Sequence, residues 1–170
     1  MLLTMTPPIM VSCGMSESEF DKTLSEGFVM SLKTIYGNAL AYDEIGNAWR
    51  NGIFYNTTPS GRYCRDFMDA LNEIEDSLEE YGIKEDVKLY NDSLIQITSQ
   101  LNPPPSSRKE CHEDFVDIVS DIGKLKRSVL YPSGSYNDYT SNCKEIFDRL
   151  AEKIERFRIK YSEFLSQREE

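Results

Sequence analysis

Apolar residues recur every three to four positions along nearly the whole chain, and no period-two alternation long enough for a strand interrupts them. That spacing puts one apolar stripe on each of several helices, and a stripe of this kind is buried only against another helix. The fold class this predicts is all-α: an antiparallel bundle of four to five long helices, with the second arm broken at Gly82.

The first helix is predicted over 16–54. Its stripe is Phe20, Leu24, Phe28, Leu32, Ile35, Ala39, Tyr42, Ile45, Trp49 and Ile53. Ser16, followed three residues later by Glu19, has the form of a capping box. At 1.5 Å per residue this helix is roughly 55 Å long. Gly27, Gly37 and Gly46 each weaken it, so a bend is expected near one of them.

Asn56-Thr57-Thr58-Pro59-Ser60-Gly61 breaks the pattern. A second helix is predicted over 63–81, with Phe67, Leu71, Ile74, Leu78 and Tyr81 inward. Gly82 suits its stop, and Ile83 is placed for the hydrophobic contact that accompanies such caps. The stripe then restarts out of phase at Ile83, Val87, Tyr90, Leu94, Ile97 and Leu101. This slip requires a break at Gly82 and leaves open whether the chain kinks or reverses there.

After the stiff Asn102-Pro103-Pro104-Pro105 connector, a further helix is predicted over 108–130. It carries Cys111, Phe115, Ile118, Ile122, Leu125 and Val129 inward. Tyr131-Pro132-Ser133-Gly134-Ser135 forms the next turn. The last helix is predicted from 136 or 137 to about 167, with Cys143, Phe147, Leu150, Ile154, Phe157, Tyr161 and Phe164 as its seam. Pro59-Ser60-Gly61-Arg62-Tyr63 and Pro132-Ser133-Gly134-Ser135-Tyr136 echo one another. Duplication of a hairpin and convergence on good turn chemistry both produce such a pair.

A net charge of -10 argues against nucleic acid, whose binding rests on neutralising phosphates with Lys and Arg. The same charge opposes adsorption to anionic lipid. Cys13, Cys64, Cys111 and Cys143 form no CxxC pair. The last three read either as one disulfide plus a buried thiol, in an oxidising compartment, or as three small core residues.

His112 is the only histidine, which removes most nucleophile–base relays. Cys111-His112-Glu113-Asp114 resembles a ligand list, but neighbours on a helix point about 100° apart and do not converge. A di-metal bundle site needs Glu-x-x-His, and Lys109 stands where that Glu would be. Glu73, Asp76, Glu79 and Glu80 read as a solvated face. Phosphate-loop and nucleophile-elbow motifs are missing. The expectation is therefore no enzyme, with no catalytic, cofactor or metal residues. Tyr63, Tyr136 and Tyr139 flank the two Pro-Ser-Gly turns. They read either as an aromatic recognition patch or as packing of the bundle ends with wet hydroxyls.

Ahead of the first helix lies a mostly apolar, uncharged run, Leu2 to Ile9, followed by Met10-Val11-Ser12-Cys13-Gly14. This stretch resembles the lipobox of bacterial lipoprotein signal peptides, and the chain as a whole resembles small bacterial lipoproteins of uncharacterised role. The resemblance implies that residues 1–14 are a signal-peptide remnant, and the chain's length of 170 residues makes 15–170 a single bundle domain. It also implies that Cys13 is the lipid attachment site and that the protein is extracytoplasmic, anchored to a membrane at the periplasmic or outer cell face. One explanation for the absent basic start is a segment lost before Met1. The function this implies is a non-enzymatic, membrane-tethered helical module binding a protein or envelope component. The alternative is a cytoplasmic helical adaptor or regulator with no lipid anchor and a plain thiol at Cys13.

Overall fold

The computed structural model describes residues 15–165. Cys13 and the lipobox-like segment lie outside the described residues, as does the expected end of the last helix near position 167. The described chain is an all-α bundle, in the order α1 (Glu17–Tyr55), α2 (Phe67–Glu80), α3 (Ile83–Gln100), α4 (Lys109–Leu130), α5 (Tyr136–Lys160) and α6 (Ser162–Leu165). No strand occurs among the described residues; the nearest thing to one is a single bridge between Thr57 and Tyr63.

α1 is unbroken through its four interior glycines and spans 39 residues, about 58 Å. Its capping box forms as the sequence indicates: the Glu19 amide donates to Ser16 Oγ, and the Ser16 amide donates to the Glu19 carboxylate. α2 and α3 both run back along α1. Phe67 and Ala70 lie against Gly52, Tyr90 against Gly37, and Ile97 against Gly27. The chain therefore kinks at Gly82 and does not reverse, which leaves four arms. Gly82 adopts φ 71°, a left-handed conformation that costs a residue with a Cβ much more. Its amide donates to the Glu79 carbonyl, and its own carbonyl accepts from the Asp86 amide. α4 returns beside α1 and α3, and α5 descends beside α4. One core cluster draws on α1 to α5, with Phe20, Leu24, Phe115, Ile118, Ile122, Leu125 and Leu150 at its centre.

Several boundaries and faces differ from the sequence expectation. α2 begins at Phe67, not 63, because Asp66 caps it by accepting from the Met68 amide. Residues before it close a small loop in which the Cys64 amide donates to the Asn56 carbonyl. Tyr81, expected inward, is exposed as the last residue before the kink. α5 stops at Lys160. Tyr161 turns away from helical geometry, and its hydroxyl donates to Asp114 at 2.7 Å, so Phe164 sits on the separate turn α6.

The largest correction is in the middle of α1. Leu32 and Ile53 are exposed, at 43% and 39%, and the inward row there is Ser31, Thr34, Asn38 and Ala41. These small side chains admit α3 closely: Thr34 Oγ1 donates to the Met30 carbonyl at 2.8 Å and lies 3.4 Å from the Tyr90 carbonyl. Ser31 Oγ and Asn38 Nδ2 likewise donate to carbonyls of their own helix, those of Phe28 and Thr34, while Asn38 Oδ1 is buried without a partner among the described residues.

Candidate interaction surface

The ionisable side chains divide into those the fold neutralises and those it leaves facing outward. On α4, Glu110, Asp114, Asp117 and Asp121 step by four, three and four, and they face α5. Lys160 donates to Glu110 at 2.7 Å and to Asp114 at 2.9 Å. Lys153 bridges Asp117 at 2.6 Å and Asp121 at 2.7 Å. Asp121 is 1% exposed and also accepts from Lys124 and from Arg149. Burial alone would raise its pKa; the three cations outweigh that and hold it down at about 2.

Asp21 is buried too, and Arg108 donates to it with both Nε and Nη2, at 2.8 and 3.0 Å. The Arg108 guanidinium lies 4.2 Å from the centre of the Phe164 ring, which fastens α6 to the start of α1 and α4. These inward carboxylates were not anticipated from the sequence. Each is held by cations; Asp114 and Asp117 share a cavity of only about 10 Å³ with Lys153 and Arg156, so they form structural clasps.

The chemistry-bearing residues weighed from the sequence stay apart. His112 packs its ring 6.3 Å from that of Phe20, and burial lowers its pKa. No group of three potential metal-ligating side chains converges among the described residues. Cys64, Cys111 and Cys143 are free and buried, which makes them core residues. Burial pushes the Cys111 thiol up to about 12 and the Cys143 thiol up to about 11, so neither is a nucleophile near neutral pH. Tyr139, one of the three turn tyrosines, is buried among Tyr42 and Trp49. Tyr136 is half-buried and edge-on to Trp49 and Phe54. Tyr63 is 76% exposed.

What remains is the end of the bundle where both Pro-Ser-Gly turns lie. An open groove of about 330 Å³ runs between α2 and the 132–134 turn. Trp49, Phe67, Met68, Leu71 and Pro132 line it, and Glu75 stands at its edge. Trp49 and Phe67 are stacked at 6.1 Å and 14°, which gives the groove a flat aromatic wall. Phe54, Tyr55, Tyr63 and Met68 are exposed around the same end. On the other side of α2, Glu73 is gripped by Arg62 and accepts from the Ser60 amide at 2.6 Å. The Arg62 bond is the main reason its pKa falls to about 2. This clamp holds the first Pro-Ser-Gly turn onto α2.

A sequence signal for the clasps existed. Acid steps of four, three and four on one helix match basic steps of the same size at Arg149, Lys153, Arg156 and Lys160 on its antiparallel neighbour. The groove had no such signal, because it joins residues from three separate segments.

No helix among the described residues is long and apolar enough to cross a membrane. Compared with protein-family models, curated proteins and solved structures, the chain finds no match.

Proposed function

We propose that this protein is a non-enzymatic, membrane-tethered, extracytoplasmic helical module that binds a protein or envelope component through the turn end of its bundle. The observation that carries this reading is the separation of the two ends of α1. The chain enters the bundle at residue 15, and the exposed aromatic cluster begins at Phe54, about 58 Å away along one helix. A lipid on Cys13 would hold the entry end at the membrane and present the aromatic end outward. Exposed aromatic and methionine side chains around a groove are the composition of a protein-binding patch.

The free thiols favour a second reading, a cytoplasmic adaptor, since three unpaired cysteines suit a reducing compartment. The intact mass of the N-terminus, from cells expressing the native gene with its upstream codons, separates the two. The tethered reading expects a chain starting at Cys13 and carrying diacylglycerol. An unmodified chain that retains residues 1–12 overturns it in favour of the adaptor.

A further inference from the structure

The geometry points to the occupant of the groove: a cationic segment of a partner protein, with an apolar side chain seated against Trp49 and Phe67 and Lys or Arg on its flanks. This deepens the binding reading above and rests on it for the site. Three observations choose this occupant.

First, the groove has an apolar side, with Phe67 stacked on a nearly buried Trp49 (4% exposed) and Met68, 45% exposed, at its lip, and a polar rim at Asn72, Glu75 and Ser133. Second, every charged residue from 66 to 80 is a carboxylate, so the helix that forms one side of the groove carries acid and no compensating cation of its own. Third, those charges are only partly answered from elsewhere. Arg62 takes Glu73, while Lys84 stands 3.9 Å from Glu75 and 4.0 Å from Glu79. Asp69 shares a hollow with Arg62, whereas Asp76 and Glu80 make no ion pair within 4 Å among the described residues.

The contrast with α4 is direct. There, each inward carboxylate meets a Lys or Arg of the neighbouring helix. On α2 the answering cations among the described residues are Arg62 and Lys84, fewer than its carboxylates, and a partner that brings more gains both steering and register. Met68, Asn72 and Glu75 line the groove at helical spacing, and Glu79 continues their row beyond it beside Lys84, so apolar and acidic recognition lie in one row. Nucleic acid, anionic lipid and acidic peptides are all repelled by the same row.

Trp49 is the only tryptophan of the chain, so its emission reports on this groove alone. The experiment titrates the folded protein with a short Trp-free peptide in which Leu and Lys alternate, and in parallel with one in which Leu and Glu alternate. Trp49 emission and calorimetry are the readouts. The expected result is a saturable response to the Lys peptide that weakens with salt, and none to the Glu peptide. Glu75→Lys with Glu79→Lys should weaken the Lys peptide about tenfold or more. Met68→Ser should weaken it as well, with circular dichroism unchanged.

Equal responses to both peptides, no response to either, or an affinity indifferent to Glu75→Lys and Glu79→Lys would each overturn the proposal. None of these outcomes touches the tether, which the mass of the Cys13 terminus decides separately.

Discussion

The α1–α2 and α4–α5 hairpins each turn through Pro-Ser-Gly, with the glycine at φ 84° in one and 83° in the other, yet they are built on different principles. In α4–α5 the turn is short. Ser135 caps α5 at once, exchanging hydrogen bonds with Asp138. The helices are then joined by a ladder of ion pairs laid over a regular apolar seam. In α1–α2 the turn is longer and is folded onto α2 by the Arg62–Glu73 clamp. The helices meet through close approach: a Cβ on Gly52 would stand 2.9 Å from the Phe67 Cα. One hairpin consumes its charges internally, whereas the other keeps its aromatic and acidic side chains available. The shared turn therefore says little about the shared use of the two hairpins.

The largest test of this contrast is Asp121→Ala. It leaves Lys153 with Asp117 alone and removes the shared partner of Lys124 and Arg149. A loss of about 2–3 kcal/mol in the urea unfolding free energy is expected. A loss below about 1 kcal/mol would mean that the ladder is decoration on an apolar seam.

Acid titration probes the same carboxylate. Its pKa is about 2 in the fold against about 3.9 in an unfolded chain. Its contribution is thus fully present above about pH 4 and is lost as the pH falls toward 2, roughly 2–3 kcal/mol in all. Unfolding followed between pH 5 and pH 2 should steepen at the acid end, and Asp121→Asn should flatten that limb. Glu73→Gln should alter it much less, although Glu73 is lowered in the same direction, because its partner Arg62 is largely exposed and screened.

The close approach of α1 and α2 is tested by a pair of alanines. Gly52→Ala should cost about 1–3 kcal/mol through overpacking against Phe67. Gly46→Ala, whose Cβ meets nothing within 4 Å, should add about 0.5–1 kcal/mol by restricting the unfolded chain. Equal effects from the two would place no close contact at Gly52. The smallest stability effects belong to the exposed end. Tyr63→Ser and Met68→Ser should shift stability by less than about 0.5 kcal/mol while weakening partner binding.

The helices, their order and most of their ends were legible from residue spacing alone. The α4 stripe is buried at every position named for it, from Cys111 to Val129. The α5 seam holds as far as Tyr161, and the Ser16–Glu19 box and the break at Gly82 fall where the sequence puts them. These features depend on neighbours three or four residues apart, which a sequence displays directly.

The middle of α1 was misread because apolar spacing cannot recognise an inward row of Ser, Thr and Asn. Such residues are buried only when a facing backbone comes close and their polar atoms find carbonyls on their own helix. Whether Gly82 kinks or reverses was equally hidden, since one left-handed residue serves either path and packing against Gly27, Gly37 and Gly52 decides between them. The groove needed the tertiary structure altogether. Trp49, the α2 face and Pro132 are far apart in the chain, and only the crossing of three segments makes them one surface. Sequence spacing determined the secondary structure of this protein; the distances between helices determined which side chains became core, clasp or exposed surface.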